Sequence, residues 1–476
     1  MIDGFLAKAS VAPIHNLVAA VSPHAGYIYS GPVAAYTYAA LKGAKIARVV
    51  VIAPSHYDAF PFSAVYDGEA YLTPLGRVPV DRAFAAQLAK SSPRIQLSSR
   101  GHLNTGERGE HALEVQLPFL QRVLGQFQLV PVIMGDQSYD ACRALGLALA
   151  RMIHGPDTLI LASSDLSHYH TYDQASREDH RTLKAIEEWD YFSMSRNFEQ
   201  RIWEACGGGP IIAAMIAAER LGASEARVLR YANTGDVTGD KSRVVGYGSV
   251  VFTRADSQNA AASAFSLTSG EREWLLKIAR KSVETLVRDG KLYDCSAGGF
   301  EALEQDRGAF VTLKEHGELR GCIGYTSPVK SLCETVRDVA ALAAVRDRRF
   351  QPVTAKELPQ LEYEISVLSP LRRVLDVKQI RLGRHGLVLR RGDSEGLFLP
   401  QVPIEQGWDR PVYLEQLCHK AGLPAGAWKS EDADLFSFTA LVFGEHSPRP
   451  TTWAPRLPPS SPAPYSEIQT AELTRH

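Results

Sequence analysis

Four short apolar runs, NLVAAVSP, ARVVVIAP, QLVPVIMG and TLILASS, alternate with helical patterns at 33–42, 111–124, 139–154 and 210–222 in the first half of the chain. A strand that is apolar along its whole length has to be covered on both faces, and helices between successive strands supply that cover. The first half is therefore expected to be an α/β domain around a mostly parallel sheet. The second half lacks this rhythm. Helices near 271–289, 329–345 and 410–421 mix with strands near 308–314, 361–369 and 386–399, which describes an α+β domain.

The sharpest break is TRADSQNAAASAFSLTSG, where small and polar residues replace the apolar periodicity. The resulting organisation is a first domain over 1–253, a linker over 254–270, a second domain over 271–446 and a proline-rich, extended or disordered tail over 447–476. Thr268 and Glu271 have the spacing of a capping box and mark where the second domain begins. Lys and Arg number 52 against 53 Asp and Glu, so a net charge of -1 supplies no global field for nucleic acid or anionic lipid. Six cysteines at 142, 206, 295, 322, 333 and 418 form no CxxC pair, which excludes zinc-ribbon, thioredoxin-like and iron–sulfur frameworks. With no secretory apolar region after Met1 and no run long enough to span a bilayer, the chain reads as cytoplasmic with reduced thiols.

Chemistry gathers where the apolar runs end. NLVAAVSP delivers His24, ARVVVIAPS delivers His56, and TLILASS leads into Asp165, His168 and His170. Ligand sites of open α/β sheets lie at such carboxyl ends, so these groups are expected to converge. The spacing of Asp165 and His168 lets the carboxylate orient the imidazole if the chain turns helically there; a helix N-cap is the plainer alternative. In GEHALEVQLPFL, His111 and Glu114 stand at i and i+3, as a pair supporting the site or as ordinary capping. Tyr27 and Tyr29 in SPHAGYIYSGP are candidates for a pocket wall. Cys206 opens CGGGP ahead of an apolar helix, a position that favours thiolate. Two neutral imidazoles with one thiolate or carboxylate leave coordination positions open, which suits iron, copper or a catalytic zinc. YANTGDVTGDKSRVVGYGSVVF has neither GxxxxGK[ST] nor GxGxxG order, so nucleotide binding is excluded and Asp236 and Asp240 are assigned to turn caps.

Seven segments in order over about 17–253, SPHAGYIYSGP, VIAPSHY, EHALEVQLPFLQ, PVIMGD, SSDLSHY, CGGGPI and YANTGDVTGD, closely resemble the Memo family. That family's fold is similar to class III extradiol ring-cleaving dioxygenases. The resemblance implies that His24, His56 and Cys206 match the family's metal ligands. It also implies that Asp165 and His168 match adjacent polar site residues, and His111 the histidine of an EHxxE motif. Extradiol enzymes use two histidines and a carboxylate at iron(II), so Cys206 departs from their pattern. A second departure is at the start: relatives open with a helix and an AGxFYP-like segment, where this chain has only MIDGFLAKASVAPIH. After the linker, LRGCIGYTSP, AALAAVRDRRFQPV, LEYEISVLSP, GRHGLVLRRGDSEGLFLPQV and LCHKAGLPAGAW resemble the AMMECR family over about 271–446.

The two families occur together with a radical-SAM protein in the AmmeMemoRadiSam system, which implies such a protein as a partner. The residues LRGCIG place Arg320 and Cys322 on a strand-turn, with Arg349, Glu364 and Gln401 as further polar candidates for one cleft. Arginine there offers bidentate anion recognition and cysteine a nucleophile. The function expected is a metal-dependent oxidoreductase of dioxygenase-like type using iron(II) or copper on a phenolic or carbonyl small molecule, with His168 as general acid/base oriented by Asp165. The alternatives are a non-catalytic module that recognises a peptide or small anion, and an accessory subunit of a radical-SAM enzyme, since the chain has no CxxxCxxC of its own.

Overall fold

The computed structural model describes residues 1–12, 14–102, 109–254, 266–326, 328–430 and 432–445. Most of the expected linker and the whole proline-rich tail lie outside the described residues. The chain divides into two compact units, Met1–Ala262 and Ser263–His476.

The first unit is built on one sheet whose strands lie in the order 225–233, 244–253, 17–22, 158–163, 48–54, 128–134, 63–65 and 95–97. Its centre consists of the four apolar runs, Leu17–Ser22, Thr158–Ser163, Arg48–Pro54 and Gln128–Met134, paired parallel throughout. Antiparallel partners flank them: Val244–Thr253 beside Leu17–Ser22, and Ser63–Val65 beside Gln128–Met134. Burial is complete along Leu17–Ser22 and Thr158–Ser163, as a strand covered on both faces requires. The covering helices include Tyr27–Ala39, Leu117–Leu124, Tyr139–Met152 and Gly208–Arg220. Tyr27–Ala39 starts earlier than the periodic pattern and takes Pro32 into its second turn. The opening segment is not without a helix: Ile2–Lys8 is helical, buries Leu6 and ties Asp3 to Arg122 at 2.7 Å.

The second unit is α+β. One antiparallel sheet runs in the order 318–325, 309–315, 361–368 and 440–444; the other runs 372–373, 434–438, 386–391 and 394–398. Ser269–Asp289 and Leu332–Val345 pack on the first sheet through Leu275, Ile278, Val336 and Val339. Arg410–Lys420 packs on the second through Tyr413, Leu414 and Leu417. The Thr268–Glu271 capping box forms, each side chain taking the other's backbone N–H. Two expectations change. The segment 386–399 is a hairpin, Gly386–Arg391 and Ser394–Phe398, with Gly392 at φ +56 in its turn. LRGCIG is not a turn but lies within one strand, Glu318–Tyr325, with an irregular register at Leu313/Lys314.

Candidate metal centre

Parallel packing brings the carboxyl ends of the central strands side by side, and the residues just beyond them share one small volume. His24 follows Leu17–Ser22 and is buried; His56 follows Arg48–Pro54; Asp165 follows Thr158–Ser163 and is buried. The rings of His24 and His56 lie with centroids 5.2 Å apart, and His111 is 5.7 Å from His24 and 5.2 Å from His56. Cys206 Sγ lies 3.1 Å from His24 Nε2. Two sets of donor atoms, each within 4.8 Å of one another, result: His24, His56 and His111, and His24, Asp165 and Cys206. The expected ligands His24, His56 and Cys206 are thus split between two sets that share His24, and His111 joins the imidazole set.

Hydrogen bonds settle which nitrogen each ring offers. Ser163 Oγ donates to the Ala112 carbonyl at 2.5 Å and accepts from Gln116 Nε2 at 2.7 Å. Its one proton is therefore spent, so the 2.9 Å contact with His24 Nδ1 has the ring nitrogen as donor. His56 Nδ1 faces the Glu110 carboxylate at 2.9 Å, and the His56 N–H donates to the same group at 2.6 Å. Both rings are pinned at Nδ1 and keep the Nε2 lone pair open, the tautomer that a metal ligand needs. Burial, followed by the neighbouring His56 and His111, pushes His24 well below the ordinary imidazole range, so the ring stays neutral. Burial pushes Glu110 up, but the bonds from His56 and from the Ala112 N–H outweigh it and hold the carboxyl at about 2.

Cys206 is placed by a close approach of backbones. A Cβ on Gly207 would meet the Ser163 carbonyl oxygen at 2.2 Å, and one on Gly209 would meet Gln137 at 2.7 Å. Gln137 braces the turn, donating to the Cys206 carbonyl at 3.0 Å and accepting from the Gly209 N–H at 2.8 Å. The helix then starts at Gly208, with the sulfur near its N-terminus as the sequence implied. Without a metal, burial, with Asp165 next, pushes the thiol up, against the pull toward thiolate expected at a helix N-terminus. Asp165 Oδ1 accepts the His24 N–H at 2.8 Å and the Ala25 N–H at 3.3 Å. Burial prevails over those bonds and pushes its carboxyl up to about 6.

Two sequence pairings are replaced. The chain does not turn helically after Asp165; His168 sits in the short strand His168–His170, and its Nδ1 donates to the Leu166 carbonyl at 2.9 Å, not to Asp165. It still adjoins the centre, because its charge acts on both Asp165 and His24. Glu114 is exposed, and the acid that supports the centre is Glu110. His170 stands apart from the centre, held by Glu204 at 3.0 Å and Glu178 at 3.4 Å. Tyr27 donates to the Val115 carbonyl, while Tyr29 is exposed. Asp240 caps a turn as expected, accepting the Ser242 N–H, while Asp236 closes the capping box of the short helix Thr234–Thr238.

Residues 1–251 match the family model described as Memo-like protein, and residues 276–443 that described as AMMECR1. The chain belongs to the Memo family. A MEMO1 family protein of Methanopyrus kandleri is 39% identical over 243 residues, covering 50% of this chain and 84% of that protein. One of Sulfolobus acidocaldarius is also 39% identical, over 49% of this chain and 81% of its own. The crystal structure of an uncharacterized protein from Pyrococcus horikoshii shares 37% identity, covers 39% of this chain and 96% of that one, and superposes with a TM-score of 0.36. The Memo unit is followed by an AMMECR1 unit.

In the AMMECR1 unit, Ala309, Val311 and Leu313 face the core, which turns Thr312 and Lys314 to the other face of the sheet. Cys322 and Glu364 stand in register with Thr312 on its two sides, so the three share that face. Thr312 Oγ1 donates to Cys322 Sγ at 3.3 Å, and Lys314 pairs with Glu364 at 3.0 Å. Arg349 grips Asp347 through two bonds, 2.9 and 2.7 Å, and Asp347 accepts the Cys322 N–H at 2.9 Å. Arg320 is bound to Glu357 at 2.8 Å. Gln401 precedes the helix Val402–Glu405, and among the described residues no hydrogen bond joins its side chain to the other four. Glu405 from that helix feels Glu364, after burial, which raises its carboxyl. The Asp347, Glu357 and Glu405 carboxylates were invisible in the sequence, where nothing distinguishes them from solvated charges.

Proposed function

We propose that the Memo unit is a metal-dependent oxidoreductase site of dioxygenase-like type, with one transition metal, iron(II) or copper, held by His24, His56 and Cys206. One observation carries this reading: both imidazoles are locked at Nδ1 with Nε2 open, and His24 Nε2 faces the Cys206 sulfur at 3.1 Å. When bound, such a metal supplies redox capacity and open coordination positions for oxygen or for a phenolic or carbonyl small molecule.

The chain's own residues do the rest. Cys206 gives up its thiol proton when the ligand set fills. His111, stacked on His56, stands where it can donate a fourth nitrogen or exchange a proton with substrate. His168 keeps Nε2 free for proton transfer, since Nδ1 is committed to Leu166, and Asp165 holds a proton below about pH 6. To the AMMECR1 unit we assign the binding of substrate or of a radical-SAM partner, supported by the polar outer face that carries Cys322, Glu364 and Lys314.

The direct test is anaerobic purification with metal quantification and a search for a thiolate-to-metal absorption band. About one equivalent of metal and a band that vanishes in Cys206→Ser is the expected result; a protein that stays metal-free after reconstitution overturns the reading. A second reading, a recognition module without turnover, is favoured by the exposed rings of Tyr57 and Tyr169, each adjacent in sequence to a histidine of the centre. Oxygen consumption with catechols separates the two, because a recognition module gives none above free metal.

A further inference from the structure

Apart from the metal centre, and sharing none of its donor atoms, three further side chains of the Memo unit converge. His170 closes the short strand His168–His170, Glu178 stands on the helix Tyr172–Glu187, and Glu204 lies two residues before Cys206. One donor atom from each lies within 4.8 Å of the others. Glu204 Oε2 is 3.0 Å and Glu178 Oε2 3.4 Å from the same atom, His170 Nε2. That nitrogen carries at most one proton, so it cannot satisfy two carboxylates at once. Two acids this close also repel each other. Among the described residues, neither Glu178 nor Glu204 has a lysine or arginine within ion-pair distance to relieve the repulsion.

We propose that His170, Glu178 and Glu204 form a second metal site, which takes a divalent cation of the zinc type through one imidazole nitrogen and two carboxylate oxygens. Such a donor set suits hard to borderline divalent ions, whereas the sulfur of the first centre suits a softer, redox-active one. Two carboxylates and a neutral imidazole balance the 2+ charge, and three protein ligands leave positions for water. On binding, His170 offers the Nε2 lone pair, and the proton of that nitrogen is released or carried at Nδ1.

The neighbours already hold the ligands in place. Gln174, one turn earlier on the helix, donates to Glu178 Oε1 at 2.8 Å and leaves Oε2 for the cation. The His168 N–H donates to Glu204 Oε2 at 3.3 Å and fixes that carboxylate against the strand. The side chains of His170, Glu178 and Glu204 are 24%, 22% and 41% exposed, so an ion can enter from solvent and keep water ligands. A cation bound there ties the strand that carries His168 and the segment that carries Cys206 to one helix, Tyr172–Glu187.

The test is a cobalt(II) titration of the full-length chain, with bound metal counted after dialysis and the thiolate-to-cobalt absorption recorded at each step. The expected result is one equivalent that brings in the thiolate band and one that adds nothing to it. Glu178→Gln should weaken the equivalent without the band by more than the ~10–100-fold typical of an outer partner, and leave the band unchanged. Cys206→Ser should abolish the band and keep the other equivalent. If Glu178→Gln does not fold, judged by circular dichroism, His170→Gln carries the same test. Four results overturn the proposal: no equivalent without the band in the wild type, one held more weakly than roughly 1 mM, as by any pair of exposed acids, its loss in Cys206→Ser, or its full retention in Glu178→Gln.

Discussion

The two units treat their polar residues in opposite ways. In the Memo unit each key side chain is held at one atom and left open at another: His24 through Ser163, His56 through Glu110, His168 through Leu166. In the AMMECR1 unit each candidate charge has an ion-pair partner, Arg320 with Glu357, Arg349 with Asp347 and Glu364 with Lys314, although Arg320 Nη1 is buried without a hydrogen bond. Half-satisfied groups that converge at the ends of neighbouring strands have a ligand as their natural partner, whereas ion-paired groups mainly hold strands and loops in position. Tight pairing in a cleft is therefore weaker evidence of a site than a lone pair that faces only other potential metal donors.

From that contrast, removing an open ligand has the largest effect. His24→Ala or His56→Ala should lower metal affinity by more than the roughly 10–100-fold typical of an outer partner, read by calorimetry on the reconstituted protein. The corresponding pair of changes in the other unit, Arg320→Ala and Arg349→Ala, should leave metal content unchanged. Retained binding in the histidine variants would break the comparison at its root.

Asp165 provides the next largest effect. Its carboxyl is raised to about 6, chiefly by burial, from an ordinary value of 3.8. The folded state then holds a proton that the unfolded chain has released, so this contribution to stability is full below pH 3.8 and is lost as pH rises through about 6. Relative to Asp165→Asn, which removes the titration, the metal-free wild type should gain about 1.4 kcal/mol per pH unit on acidification across that window, to a total of ~3 kcal/mol. Urea melts of both proteins between pH 4 and 7 measure it, and parallel curves would show that Asp165 is not held in a buried, neutral form.

Glu110→Gln should come third. The amide keeps the shape but loses the charge that fixes the His56 tautomer, so metal affinity should fall ~10–100-fold with no change in fold, measured by competition with a chelator. An unchanged affinity would mean that His56 is oriented by something other than Glu110.

How much of this was legible follows from what a linear pattern can carry. The four parallel strands were visible because strands covered on both faces read as unbroken apolar runs, and their ends fixed where His24, His56 and Asp165 would meet. The support behind them was not. Glu110 lies before the helical turn that begins at Glu114, so the i, i+3 rule chose the wrong acid. Ser163 and Gln116 were overlooked, although a serine that ends a fully buried strand was itself a signal of a buried polar contact. In the AMMECR1 unit the glycines of LRGCIG suggested a turn; they mark close approaches instead. A Cβ on Gly321 would meet the Ala343 carbonyl oxygen at 2.3 Å, and one on Gly324 the Phe310 ring at 2.2 Å. Side-chain pairing across a sheet or loop depends on register, which one strand's sequence does not contain.

The smallest expected effect tests the closed side of the contrast. Burial raises Asp347, but Arg349 and the Cys322 N–H outweigh it and leave the carboxyl below its ordinary value, the reverse of Asp165. The sign of its pH dependence is accordingly reversed: the stabilisation is present above pH 3.8 and is lost as pH falls through the lower folded value. Arg349 is 34% exposed, so solvent screens the pair, and Asp347→Asn should cost the AMMECR1 unit only ~1 kcal/mol at neutral pH. That cost should shrink as the pH is lowered below 4, read by thermal melts of the full chain. A variant that instead loses several kcal/mol, or whose penalty grows in acid, would place Asp347 among uncompensated buried charges, as in the Memo unit, and the division between open and closed polar groups would fail.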